Sequence, residues 1–304
     1  MDIKTLTAAL KSVKMLWALG IPDILGAGNV YWVDGIGGND SHGGLTPSEP
    51  LLKIDTALGL CSNDNNDYIL VLDCYQQDTF PIVVDKTRVH IIGITNKSNR
   101  YPVMAPIADT AIFTVDSSGN DCEIAGFNLS AGASHGSIEL NNPIGIHLHD
   151  LIFGSDQAGG TPQDGIIAET GQRNPIHGLI ENCKFYGTGN YSNGALTRDG
   201  IRGTGGGALN WKNMTIRNNV FLGIPGIGID LDMAQAVMIF GNKFALDADA
   251  AGAAITLGAG TKGCFIDTNH ANFGKTAMVA NPYVDGSTLN TWGLNYKALT
   301  AVLP

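Results

Sequence analysis

Four charged side chains fall into register when the short word Asp-Gly-Ile is used as a ruler. The word stands at Asp164-Gly165-Ile166 and Asp199-Gly200-Ile201, and relaxed copies end at Gly228-Ile229 and Ala254-Ile255. Counting on from each isoleucine, one file holds Ile167, Arg202, Asp230 and Thr256. The file two positions later holds Glu169, Thr204, Asp232 and Gly258. In stacked parallel strands, residues at i and i+2 share a face about 6.5–7 Å apart, and neighbouring strands lie about 4.8 Å apart. Glu169, Arg202, Asp230 and Asp232 would then form one charged surface cluster. Two carboxylates so placed suit inverting hydrolysis of a sugar, whose acid and base stand about 6.5–9.5 Å apart. These four are the catalytic candidates if the chain is an enzyme. A plainer reading is a polar outer face, with Arg202 over Asp230 as a cross-coil ion pair contributing about 0.2–1 kcal/mol. Tyr186, Tyr191 and Trp211 are the aromatics near this file and the candidates for stacking on a glycan.

Other polar groups carry weaker signals. His147 and His149 flank Leu148 and should point outward together. Two imidazoles at i and i+2 could hold a metal, but no third ligand is evident in the sequence. The expectation is a solvated pair and no metal. Asp34, Asn39 and Asp40 offer oxygen ligands of the kind calcium takes, and turn-forming hydrogen bonds explain the same residues. No cofactor is expected beyond that calcium alternative. The run Gly203-Thr204-Gly205-Gly206-Gly207 lacks the Gly-Lys-Ser/Thr of a phosphate loop,.

The elements that must carry these side chains are repeated. Six stretches spell a second word, an aliphatic residue followed five positions later by Phe, Leu or Ala. They begin at Ile124, Leu148, Ile180, Ile216, Ile239 and Ile266. Both words recur every roughly 25–35 residues and keep pace with each other, the mark of a solenoid. Apolar residues do not recur at helical spacing, and Gly, Asn and Asp break short β-rich runs, so the unit is a coil of strands. At about 25 residues per coil, on the order of ten coils would form a rod roughly 50 Å long. Asn219, Asn242 and Asn269 hold the same place in successive words. They read as a ladder of side-chain amides along the coil axis.

Composition agrees. The chain has 304 residues, 40 of them Gly, with 15% charged and a net charge of −10. Many tight corners and few surface helices fit those figures. The acidic surface repels nucleic acid and anionic membranes at long range. Five cysteines, Cys61, Cys74, Cys122, Cys183 and Cys264, lie in or beside apolar words with no C-x-x-C. They read as buried free thiols, which favours folding in a reducing cytoplasm. Lys4, Lys11 and Lys14 interrupt residues 1–21, so no secretory signal is visible, and no run is long and apolar enough for a membrane span,.

Before the words begins Tyr31-Trp32-Val33-Asp34, then Gly38-Asn39-Asp40, Gly44-Leu45-Thr46-Pro47 and Pro50. A first strand, a loop and a short helix over 51–60 fit this order. The pattern, with the strand words after it, resembles the right-handed parallel β-helix proteins of the pectin-lyase-like superfamily over residues 30–275. The resemblance implies an all-β, single-stranded right-handed parallel β-helix. It also implies a choice of functions, since polysaccharide lyases, glycoside hydrolases, adhesins and phage tailspikes share the fold. The tandem Asp-Asp, Gly-His and Arg-x-Lys of the polygalacturonase-like members do not occur together here. Arg202 with Asp230 and Asp232 only loosely echoes the pectate lyases.

Three segments follow. Residues 1–27 hold an amphipathic stripe, Ile3, Leu6, Leu10, Val13 and Trp17, at coiled-coil spacing,. It reads as a capping helix on the first coil or a helix shared between subunits. Residues 28–275 form the β-helix. Residues 276–304 carry no coil word and read as a C-terminal cap, with Trp292 and Tyr296 as candidate subunit contacts. The functional expectation is a non-enzymatic virion structural protein, a phage capsid decoration or spike-like rod. It would be made in the cytoplasm, displayed on the particle, homotrimeric, and in contact with other virion proteins or a host surface glycan. The alternatives are a polysaccharide lyase or glycoside hydrolase working in a groove along the rod, and a cell-surface adhesin or carbohydrate-binding module.

Overall fold

The sequence words map onto the sheets of a computed structural model, which describes residues 28–73, 79–94, 101–154, 162–168, 174–188, 195–203, 211–245, 252–271, 281–297 and 300–302. Among these residues three long sheets of ten, nine and eight strands run side by side, and every strand but the last of the chain pairs in parallel with its counterpart one coil on. The first residues of the six aliphatic words are consecutive register partners on the ten-stranded sheet, Ile124, Leu148, Ile180, Ile216, Ile239 and Ile266. Their last residues, Leu129, Phe153, Phe185, Phe221, Phe244 and Ala271, are partners on the nine-stranded sheet. The Asp-Gly-Ile words supply the eight-stranded sheet, where Ile166, Ile201, Ile229 and Ile255 follow one another. The chain is thus a single-stranded right-handed parallel β-helix. Its ten rungs span roughly 45 Å.

Each aliphatic word is a bend. Residues 123–129 divide into two strands, Glu123–Ala125 and Asn128–Leu129. The corner between them needs a left-handed residue at the third position of the word. Gly126, Asp150, Asn182, Asn218, Gly241 and Thr268 all have φ between 52° and 75°. Gly, Asn and Asp tolerate that conformation best, hence their frequency in the word.

Inside the coils one apolar cluster runs from Tyr31 to Tyr283. Phe153, Phe185, Phe221 and Phe244 stack with centroid separations of 4.6, 4.5 and 4.7 Å. The amide ladder is present and longer than expected. Asn219, Asn242, Asn269 and Asn295 are all fully buried. The Oδ1 of each of the last three accepts the backbone N–H and Nδ2 of the asparagine before it, at 2.9–3.1 Å.

Asn295 lies beyond the expected end of the coils. Three short strands, Tyr283–Asp285, Thr291–Trp292 and Asn295–Lys297, each pair in parallel with a strand of the preceding coil. Residues 281–297 therefore add a further rung, and Thr300–Val302 then turns back antiparallel on Asn295–Lys297. The short helix Ile54–Leu60 forms and buries Ile54, Ala57 and Leu58 against the first rungs. The stripe Ile3, Leu6, Leu10, Val13 and Trp17 lies outside the described residues. Among the described residues no helix is long and apolar enough to cross a membrane.

Candidate functional site

The first file drawn from the Asp-Gly-Ile word exists, while Glu169 and Thr204 of the second lie outside the described residues. Ile167 pairs with Arg202, Arg202 with Asp230, and Asp230 with Thr256. Two further aspartates dominate the place. Asp164 and Asp199 head the words and are almost fully buried. Asp164 Oδ1 accepts the backbone N–H of Asp199 at 3.0 Å and the Nε of Arg198 at 3.0 Å, while Oδ2 meets the other arm of the same guanidinium. One coil on, Asp199 Oδ1 accepts the N–H of Ile227 at 2.6 Å, and Oδ2 accepts from Arg202 at 2.7 Å. Each carboxylate thus staples its coil to the next. Sequence reasoning used the aspartate of the word only as a ruler; its recurrence at Asp164 and Asp199 was itself the signal. Burial raises the Asp164 carboxyl despite Arg198 beside it.

Asp230 is 8% exposed, so it is not the open surface group expected. Burial first, then the charges of Asp199 and Asp232, push its carboxyl up to about 6, against the pull of Arg202. A carboxyl so poised can donate or accept a proton near pH 6. Asp232 is exposed just past the strand end, and Glu169 lies outside the described residues. The aromatic candidates do not gather here. Trp211 is fully buried in the core and offers no face to a sugar. Tyr186 is half-buried on the nine-stranded sheet, beside a different face of the rod, and Tyr191 is not among the described residues.

A second polar cluster lies on the outer face of the ten-stranded sheet. Inward Leu148 and Ile124 are fully buried register partners, which turns His147, His149 and Glu123 outward. His149 Nε2 lies 2.6 Å from Glu123 Oε1, and its Nδ1 lies 2.8 Å from Asp150. Glu123 Oε2 meets His90 Nδ1 at 2.6 Å, and His90 Nε2 meets Asn66 Oδ1 at 2.8 Å. His147 Nε2 lies 3.1 Å from Glu181, which also accepts from Arg217 Nε at 2.7 Å. Burial alone would raise Glu123, but hydrogen bonds from His149 and His90 and their charges outweigh it and hold the carboxyl at about 2. Burial would lower His149, and its bonds to Glu123 and Asp150 raise it instead. Burial and then the charge of His149 lower His147. The histidines are therefore not a solvated pair. Glu123 is the third group that sequence reasoning missed. It was findable as the residue just before Ile124, as His147 is just before Leu148.

The polar groups of the 34–40 loop bind backbone N–H groups. Asp34 Oδ1 accepts the N–H groups of Ile36 and Gly37, Asn39 Oδ1 that of Ser41, and Asp40 Oδ1 those of Leu52 and Lys53. Cys61, Cys122, Cys183 and Cys264 are buried free thiols, and Cys74 lies outside the described residues. Burial pushes Cys61 up to about 12 and Cys122 up to about 11, which makes them poor nucleophiles,. Trp292 is half-buried against the core with its Nε1 on Asp285 at 2.7 Å, and Tyr296 meets His270 edge-on.

No family model and no curated protein matches the chain. Solved structures do. A rhamnogalacturonan lyase is 15% identical with a TM-score of 0.51, covering 80% of this chain and 68% of that one. A lacto-N-biosidase from Eubacterium ramulus is 15% identical with a TM-score of 0.50, covering 88% of this chain. This chain spans only 56% of the biosidase's length. A tailspike protein of E. coli bacteriophage HK620, in complex with a pentasaccharide, is 14% identical with a TM-score of 0.40, covering 89% of this chain and 57% of that one. At such identities the likeness of the first two is one of fold, and it agrees with the stacked register partners above: the chain has a right-handed parallel β-helix fold.

Proposed function

We propose that the chain is a non-enzymatic structural β-helix of a virus particle, a capsid-decoration or spike-like rod that displays its loops or attaches the particle to a surface glycan. The observation that carries this reading is the use made of Asp164 and Asp199. Both carboxylates at the head of the candidate acidic groove receive a backbone N–H from the next coil and an arginine. The asparagine column and the phenylalanine stack act in the same direction, each joining one coil to the next. Polar groups arranged in this way stiffen the length of a rod rather than face a substrate. Homotrimerisation through the Ile3–Trp17 stripe, with Trp292 and Tyr296 at the far end, belongs to the same proposal. Mass spectrometry of gradient-purified particles tests it: the chain should travel with the particles at the copy number of a structural component. Recovery only in the particle-free fraction refutes it. Light scattering on the chain with and without residues 1–21 tests the trimer.

One observation favours a second reading, polysaccharide cleavage along the groove. The carboxyl of Asp230 is held up to about 6 with Asp232 two residues on, the kind of poise a general acid needs. Turnover of any member of a polysaccharide panel that Asp230→Ala abolishes would establish that reading in place of the first.

A further inference from the structure

We propose that Glu123, His147 and His149 form a binding site for a divalent transition-metal ion of the zinc type. One ligand atom from each of the three lies within 4.8 Å of the others. The backbone fixes this convergence. His147 stands directly opposite Glu123 on adjacent parallel strands, and buried Leu148 obliges His149, two residues on, to share the face of His147. The two imidazole rings lie 4.2 Å apart between centroids.

The surroundings hold the ligands as a metal site requires. A ligating histidine is usually oriented by a hydrogen bond from its other nitrogen to a carboxylate, and ligating carboxylates are held likewise. His149 Nδ1 is 2.8 Å from Asp150 Oδ2. His149 Nε2 donates to Glu123 Oε1 at 2.6 Å, and an incoming ion would take the place of that proton while Nδ1 stays on Asp150. The other oxygen of Glu123 is held by His90, which is itself fixed by Asn66 and by stacking on Tyr68 at 4.3 Å. His147 is oriented likewise, its Nε2 lying 3.1 Å from Glu181 Oε1. Side-chain exposures of 34% for His147 and 21% for His149 and Glu123 leave a way in from solvent.

The donor set selects the ion. Two imidazole nitrogens and a carboxylate oxygen suit zinc, with bonds of about 2.0–2.2 Å, and its borderline neighbours. Calcium takes about 6–8 oxygens and is not served by this set. A bound ion would tie the coil of Glu123 to that of His147 and keep a coordination position open to solvent.

Zinc chloride titrated calorimetrically into the full-length chain, first freed of metal by chelator, tests the site. We expect saturable binding of one ion per chain. It should be lost in the His147→Ala, His149→Ala double variant and weakened by Glu123→Gln. Asp150→Asn, which leaves all three ligands in place, should weaken it about 10-fold. His135→Ala and His270→Ala, away from the cluster, should leave it unchanged. Circular dichroism checks the fold of each variant. Should the double variant not fold, Glu123→Gln and Asp150→Asn decide, since both keep side-chain shape. Absence of saturable zinc binding overturns the proposal. So does binding that persists unchanged in the double variant, or through both Glu123→Gln and Asp150→Asn.

Discussion

Gly228 faces Phe244 so closely that a Cβ built on the glycine would lie 2.5 Å from Phe244 Cε1. Gly165 stands in the same relation to Phe185, at 2.6 Å, and Gly200 to Phe221, at 2.5 Å. The glycine of one sequence word thus makes room for the phenylalanine of the other and for a backbone carbonyl of the next coil, which the same Cβ would approach to 2.6–2.7 Å. One coil on, register places Ala254 after Gly228 and Ala271 after Phe244. Both members of the pair have changed together. Tyr283 is fully buried in the final rung, and its hydroxyl donates to the carbonyls of Asn269 and Tyr296 at 3.0 and 2.9 Å. Its ring reaches across to the corner where Ala271 has replaced a phenylalanine.

This pairing predicts strong coupling. Gly228→Ala overpacks the interior and should cost about 1–3 kcal/mol. Phe244→Ala alone should cost about 3–5 kcal/mol through the cavity it leaves. The double variant, which copies the Ala254/Ala271 coil, should be more stable than the sum of the two losses implies by about 0.5–3 kcal/mol. Denaturant unfolding of the four proteins measures the cycle, and strict additivity would contradict the steric account.

Asn242 sits between two other amides of the column. Its Oδ1 accepts from the backbone N–H and Nδ2 of Asn219, and its Nδ2 donates to Ile216 O and Asn269 Oδ1. Asn242→Ala should cost about 1–3 kcal/mol for each buried group it orphans. Hydrogen exchange should locate the loss at the N–H of Asn219. An unchanged unfolding midpoint would mean that the column carries no net stability.

The strand words were legible because inward aliphatics on a stacked coil must repeat, and Ile124, Leu148 and Ile180 need no knowledge of loop length to be aligned. The corners within them were not, since a single Gly, Asn, Asp or Thr inside a short apolar word marks a left-handed turn no more than it marks a strand edge,. The last rung was hidden because Trp292 and Lys297 stand where Ile and Phe stood before, while Asn295 kept its place. Of the polar clusters, the Arg202/Asp230 register followed from the words, whereas the burial of Asp230 did not. Burial depends on what covers the outer face, and no spacing along a strand encodes that. Glu123 escaped notice because the variable loops separate it in sequence from His147, although register makes them neighbours.

Asp230 makes stability depend on pH. Its folded carboxyl is raised to about 6 from the ordinary aspartate value of 3.8. The folded state therefore binds more protons than the unfolded state in that window. Stability is fully present below about pH 4 and falls as pH rises through about 6, by roughly 1–3 kcal/mol. Asp230→Asn should remove this slope, being more stable than the parent at pH 7–8 and equal to it near pH 4. Thermal unfolding across that range checks the sign, and a parent that gains stability between pH 4 and 6 on account of Asp230 would contradict it.

The aspartates of the Asp-Gly-Ile word hold coils together, and the reading of the chain as a rod rests on them. Asp199→Asn keeps the shape but removes the charge that holds Arg202, and breaking a buried pair costs about 3–5 kcal/mol. Measured side by side with turnover on a polysaccharide panel, the unfolding midpoint of Asp199→Asn decides. The expected result is a fall of several degrees, with no turnover in either protein. An unchanged midpoint, together with parental cleavage of a glycan that the substitution abolishes, would contradict it.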